Sequence, residues 1–209
     1  MAAKVTVIGI GPGHPDYLLP VAERAMRAAQ VLIGSKRALR TFARPGQVQI
    51  EITGRLEEVI TAVNEYRLTA PVAVLVSGDP GFYSLLPYLR QHLTADDLEV
   101  IPGVSALQIA FCRLKTAWQD ADLLSLHGRD WESVRPRLTK PAKVAFLTDR
   151  EHTPARIAGL LLQAGWPDCP VFLAENLSYP AERVIWTDLR SAAAEQGFAH
   201  SVMVVLGSA

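Results

Sequence analysis

Three times in its first half this chain passes from a short, β-branched apolar stretch into a glycine and proline loop, and then into a helical pattern. The sharpest case is Pro71-Val72-Ala73-Val74-Leu75-Val76 followed by Ser77-Gly78-Asp79-Pro80-Gly81. An unbroken apolar run of this length suits a strand covered on both faces, as in a parallel sheet. Gly78 and Gly81 remove side chains and Pro80 fixes a backbone angle, so the loop offers rigid main-chain groups to a ligand. The other cases are Gly9-Ile10-Gly11-Pro12-Gly13-His14 after residues 5–8, and Pro102-Gly103-Val104-Ser105-Ala106 after residues 99–101. Strands alternating with helices gather such loops at the carboxyl edge of a sheet, where open α/β folds bind their ligands. Each loop alone reads equally well as an ordinary turn, and Ser105 as a helix cap. Three in one unit point to a shared pocket.

The alternation predicts strands at 5–8, 31–33, 48–52, 72–76 and 99–101, with helices at 17–29, 56–66, 82–93 and 104–111. Residues 113–120 break the pattern and read as a linker. Beyond them, strands are expected at 123–126, 144–147, 171–175, 183–187 and 202–206, with a helix at 154–164. Only residues 177–182 separate the third and fourth of these, too few for a helical crossover, so the two should pair antiparallel. The expected architecture is α/β with two α/β domains, 1–112 and 113–209, the first sheet mainly parallel and the second mixed.

Composition excludes several function classes. Twenty-one basic residues balance twenty-one acidic ones, which gives no global reason to bind a nucleic acid backbone or an anionic membrane. Anion recognition must be local, and all but five of the basic residues are arginines. That bias suits bidentate contact with carboxylates, and arginine-rich genomic composition accounts for it equally well. No apolar run approaches the ~18 residues of a membrane span, and the first residues lead straight into a strand, so the expected compartment is the cytoplasm. Cys112 and Cys169 are too isolated for a disulfide framework and read as buried thiols. The histidines lack metal-ligand spacing, so no protein-bound metal is expected. Trp118, Trp131, Trp166 and Trp186 are scattered and read as packing residues.

The first loop invites comparison with a dinucleotide fingerprint, which fails. His14 stands where the third glycine belongs, and Pro12 lies where the helix should begin. After the second strand comes Ser35-Lys36-Arg37 in place of an acidic residue for a ribose diol. Arg37 is suited only to a 2′-phosphate, which leaves a nicotinamide-dependent oxidoreductase as an alternative. No Gly-Lys-Ser/Thr triplet occurs, so there is no Walker A loop. A neutral, glycine-lined pocket with one acid suits a small ligand carrying a ribose or a positive centre.

Taken in order, Gly9 to Gly13, Gly78-Asp79-Pro80 and Pro102-Gly103-Val104-Ser105 resemble the three signature loops of the tetrapyrrole methylase family. The likeness spans nearly the whole chain. In the second half, Leu126-His127-Gly128-Arg129 and Ala174-Glu175-Asn176-Leu177-Ser178-Tyr179-Pro180 are most similar to the type that methylates C(5) of cobalt-precorrin-7, equivalent to the N-terminal part of fused precorrin-6Y C(5,15)-methyltransferases. The resemblance implies a transferase of corrin biosynthesis using S-adenosylmethionine, bound in a cleft between two α/β domains. It implies cofactor contacts from Gly78, Asp79, Pro80, Ser105, Ala106, Leu126, Asn176 and Leu177. It places Gly11, Pro12, Gly13, His127, Gly128 and Arg129 on the substrate side, with Asp79 and Pro12 as positioning residues and no catalytic acid or base. Substrate carboxylates call for cations, first Arg129 and His127, then Arg37, Arg113 and Arg183. The competing readings are a strand-end histidine satisfied by backbone for His127, and an ion pair with Asp130 or Glu132 for Arg129. The resemblance further implies a homodimer, and either a separate C(15)-methylating, decarboxylating subunit or an origin as one domain of a fused enzyme. The same fold serves diphthine synthases and a ribosomal RNA ribose methylase, which remain alternatives, as does a noncatalytic nucleotide-sensing module.

Overall fold

The computed structural model describes residues 3–138, 143–198 and 200–207. The chain divides into two compact units, Met1–Ser105 and Ala106–Ala209. The first contains β1 (Val5–Gly9), α1 (Pro20–Ala28), β2 (Val31–Gly34), α2 (Lys36–Phe42), β3 (Val48–Glu51), α3 (Leu56–Tyr66), β4 (Val72–Val76), α4 (Leu86–His92) and β5 (Leu98–Ile101). The strands lie in the order β3-β2-β4-β1-β5, and every pairing is parallel. Both faces of this sheet are covered, which is why β4 reads as continuous apolar sequence. Val72, Val74 and Val76 enter one hydrophobic cluster with Val59 and Val63 of α3, while Ala73 and Leu75 enter another with Ala22 and Met26 of α1. Each fully buried valine or leucine contributes about 1.5–3 kcal/mol relative to exposure.

Two helices begin later than their periodicity predicts, and proline is the reason in both. Residues Pro15–Tyr17 form a 3-10 turn, and α1 starts only at Pro20, whose missing N–H costs nothing in a first turn. A helix from residue 82 would need an N–H from Pro87 and a right-handed Tyr83. Pro87 instead sits in the first turn of α4, and Tyr83 has φ of 49°. The short helix α2 escapes the periodicity altogether; Ser35 caps it by accepting from the Ala38 N–H at 3.2 Å.

The second unit contains α5 (Ala106–Leu114), β6 (Ala121–Ser125), α6 (Trp131–Val134), β7 (Lys143–Leu147), α7 (Pro154–Gln163), β8 (Pro170–Glu175), β9 (Arg183–Asp188), α8 (Leu189–Ala194) and β10 (Ser201–Leu206). Its order is β6-β7-β10-β8-β9. Only β6 and β7 are parallel, so the sheet is mixed, and the short connection does pair β8 with β9 antiparallel. The helix α5, read from sequence as the end of the first unit, packs on β7 and β10, and it runs on through Arg113, where the linker was expected. Trp131 and Trp166 lie in the core, but Trp118 and Trp186 are exposed, against the packing role read for all four. Trp186 meets Phe172 edge to face at 5.4 Å. Cys169 is buried, and burial pushes its thiol pKa up, whereas Cys112 is exposed. Among the described residues no group of acidic, histidine and cysteine side chains could hold a metal, and no helix is long and apolar enough to cross a membrane.

Candidate active site

Strand order explains why the three signature loops of the first unit meet. β4 and β5 flank β1, and because all run parallel, the loops that follow them emerge at one edge. The loops are joined through main chain. Gly78 N–H donates to the Gly11 carbonyl at 2.8 Å, and Ile10 N–H to the Val76 carbonyl at 2.9 Å. A Cβ on Gly9 would stand 2.6 Å from the Gly103 nitrogen, and one on Gly103 would stand 2.1 Å from the Gly78 oxygen. Three backbones therefore touch where no side chain fits, which makes these glycines a packing requirement.

Asp79 completes this cradle. One carboxylate oxygen accepts from Gly81 N–H at 2.7 Å, within its own loop, and the other accepts from Gly103 N–H at 3.1 Å, in the next. The single acid of the cradle is thus a cross-brace between two loops. Pro80 and Ser105 are buried, as are Gly11 and Gly13, while Pro12 and Gly78 are half-buried. Ala106 opens α5. Arg37, in the first turn of α2, donates to Ser77 Oγ at 3.3 Å, directly before Gly78.

In the second unit β6, β7 and β8 share one direction, with β10 opposed between β7 and β8. Their carboxyl-end loops consequently share one edge with the start of β10. Leu126 is buried and its N–H donates to the Leu147 carbonyl at 2.9 Å; His127, Gly128 and Arg129 are exposed. Gly128 N–H donates to Asp149 at 3.0 Å, and the other oxygen of Asp149 accepts from Glu151 and His152 N–H at 2.9 and 2.6 Å. Burial pushes the Asp149 carboxyl upward, but the N–H groups of His152, Gly128 and Glu151 and the nearby imidazole together hold it below the usual range. Thr148 Oγ1 donates to the Ser201 carbonyl at 2.8 Å, tying β7 to β10 at this edge.

The loop after β8 is strained. Asn176 and Ser178 have φ of 51° and 76°, in a region unfavourable to residues with a Cβ, and Leu177 between them is buried. Glu182 holds it in place, accepting from Ser178 N–H at 2.7 Å and from Arg113 of α5 at 2.5 and 3.2 Å. The Arg113 guanidinium holds the Glu182 carboxyl below its usual range, with help from the Ser178 N–H and against burial. Arg113, one of the substrate-side arginines read from sequence, therefore braces the fold. Arg183 likewise pairs with Glu175 at 3.1 Å and lies 4.1 Å over the Phe198 ring. The sequence does not single out Asp149, and it presents His152 only as a histidine without metal-ligand spacing. Asp149 did carry a local signal, an aspartate shortly before the Thr153-Pro154 helix start.

With this geometry in view, comparison with known proteins is decisive about class. The sequence profile of the Tetrapyrrole (Corrin/Porphyrin) Methylases matches residues 4–193. The chain belongs to that family. It is 33% identical over 198 residues to the probable cobalt-precorrin-7 C(5)-methyltransferase of Methanocaldococcus jannaschii, covering 90% of this chain and 91% of the relative. It is also 34% identical over 182 residues to the decarboxylating precorrin-6Y C(5,15)-methyltransferase of a Sinorhizobium species, covering 86% of this chain but 44% of that longer protein. Among solved structures, the uroporphyrin-III C-methyltransferase of Thermus thermophilus complexed with S-adenosylhomocysteine shares the fold, with a TM-score of 0.80, 24% identity and 97% of each chain covered.

Proposed function

We propose that this chain is an S-adenosylmethionine-dependent C-methyltransferase of corrin biosynthesis that methylates C(5) of precorrin-7, or of its cobalt form, to give the corresponding precorrin-8. The observation that carries the reading is the end-to-end similarity to the Methanocaldococcus protein, which leaves no large part of either chain unmatched. The glycine cradle fits the cofactor's chemistry: it is built of main chain, and its one carboxylate is already engaged by Gly81 and Gly103. When bound, the cofactor supplies an electrophilic methyl group on a positively charged sulfur. That charge disperses during transfer, so a strong anionic contact would hold back the ground state, and neutral dipoles favour the transition state by comparison.

Gly78, Pro80 and Ser105 would line the donor, with Asp79 holding their loops in register and Pro12 on the side of the acceptor. The reduced macrocycle is electron-rich at its meso carbons, so positioning replaces base catalysis; holding reacting atoms ~3–3.5 Å apart supplies several kcal/mol of the barrier. His127 and Arg129, exposed after β6, would take substrate carboxylates. Arg37, which donates to Ser77 Oγ, would be a further cation for that task. The product would pass to a C(15)-methylating, decarboxylating partner, in keeping with the extra length of the Sinorhizobium relative. Incubation with methyl-labelled S-adenosylmethionine and precorrin-7, with and without cobalt, followed by NMR, tests the reading. Label at C(5) is expected; absence of transfer, or transfer to RNA or protein alone, overturns it.

A further inference from the structure

The loop that carries His127 and Arg129 has no secondary structure of its own beyond β6, and its turn depends on Gly128, whose φ is 67°. A Cβ built on Gly128 meets nothing within 4 Å, so this glycine answers to backbone conformation and not to crowding. The turn closes on itself, Arg129 N–H donating to the Leu126 carbonyl at 3.2 Å, and is braced from outside by the Asp149 carboxylate on the Gly128 N–H at 3.0 Å. Behind Asp149 lies His152, 4% exposed, whose Nδ1 has no hydrogen-bond partner and sits 3.5 Å from the carboxylate oxygen that accepts its own backbone N–H. The Asp149 N–H returns a bond to the His152 carbonyl at 3.3 Å. A buried imidazole nitrogen left without a hydrogen bond costs free energy, which calls for a reason for the position. Here the His152 main chain closes a ring with Asp149, its N–H on the carboxylate and its carbonyl on the Asp149 N–H, with the imidazole beside it at 3.5 Å, and Thr153, the next residue, caps α7 by accepting from Arg156 N–H at 3.3 Å. The ring is thereby anchored to a ten-residue helix.

We infer that Asp149 and His152 are positioning residues for substrate: Asp149 sets the Gly128 turn that presents His127 and Arg129 to the tetrapyrrole, and the buried His152 holds Asp149 in place. The inference rests on the reading above, in which residues 127–129 meet the substrate. The first unit arrives at the same solution, with the Asp79 carboxylate accepting from Gly103 N–H across two loops. In each unit an aspartate at one strand end accepts from the glycine N–H beyond another, from β4 across β1 to β5 in the first and from β7 to the adjacent β6 in the second, where a histidine backs it.

The test uses the full chain carrying Asp149→Asn, His152→Leu, His152→Asn and Gly128→Ala. An asparagine that keeps its oxygen toward Glu151 and His152 turns an NH2 group against the Gly128 N–H, which breaks the brace with little change of shape. Gly128→Ala disturbs the same turn through its φ without touching Asp149, and serves if Asp149→Asn fails to fold. In protein labelled with 15N-glycine, Asp149→Asn is expected to speed Gly128 amide exchange about tenfold, the loss of one charge-assisted hydrogen bond. Asp149→Asn, Gly128→Ala and His152→Leu should each raise KM for the tetrapyrrole about tenfold, while the Kd for S-adenosylmethionine stays within twofold. His152→Asn, which returns an amide nitrogen near the Nδ1 position, should recover most of the loss. If the wild type turns over and Asp149→Asn and Gly128→Ala keep its KM, the inference is overturned alone. If KM and cofactor Kd worsen together in step with a falling Tm, the two residues serve only the fold, and the inference is again overturned. A wild type that neither binds nor methylates the tetrapyrrole overturns the functional reading and this inference with it.

Discussion

A methyl group at position 103 would stand 2.1 Å from the Gly78 carbonyl oxygen, a backbone atom with no rotamer to escape into. Gly103→Ala should therefore force two loops apart and cost about 3 kcal/mol or more, read as a shift in the urea midpoint. Gly54→Ala, where nothing lies within 4 Å of the new Cβ, is the matched control and should change stability by less than about 0.5 kcal/mol. At this scale the sequence identifies the glycines and the lone acid of the cradle but not their use. Asp79 stands out in a neutral loop, which suggests a ligand for a positive centre. Its actual partner across the loops is the N–H of a residue 24 positions away, and a main-chain donor leaves no mark in side-chain chemistry. Asp149 and its glycine, 21 apart, are hidden for the same reason.

Side-chain bonds add to the strand ladders in fastening the fold, and the Arg113–Glu182 pair is the one most open to test. It joins α5 to the strained loop after β8. Because the Glu182 carboxyl is held below its usual value of 4.5, its contribution is complete above that pH and is lost as pH falls through the lowered folded value. Glu182→Gln should thus cost about 1 kcal/mol at pH 7, modest because Arg113 is partly exposed and screened. The urea midpoints of variant and wild type should converge as the medium is acidified below pH 4.5. The longer elements are legible where physics is local: five-residue apolar runs become central strands, and the seven residues between β8 and β9 force a hairpin. The short helices α2, α6 and α8 bury only two residues each, too few for a period to register. Their caps, Ser35, Asp130 and Asp188, were the available signal.

For the whole molecule, a ligand that binds only the folded chain must raise its stability. At a concentration one hundred times its Kd, S-adenosylmethionine should add about 2.7 kcal/mol, which for a chain of this size is a rise in Tm of roughly 5–10 °C. A nicotinamide dinucleotide should give none, and a scan in which it alone shifts Tm would restore the oxidoreductase alternative. The two-sheet α/β organisation is legible from the alternation of strands and helices, whereas the allegiance of α5 is not, because a helix's contacts with β7 and β10 cannot be read from its own periodicity. Strand order has one more consequence. β1 is made before the other strands of its sheet, yet the groups that close over its end come from residues 78 and 103, the latter beyond the final strand of that sheet. A chain still emerging from the ribosome, or cut short just before Gly103, can lay down all five strands and still have no cradle, so the capacity to hold a methyl donor arrives only once the first sheet is finished.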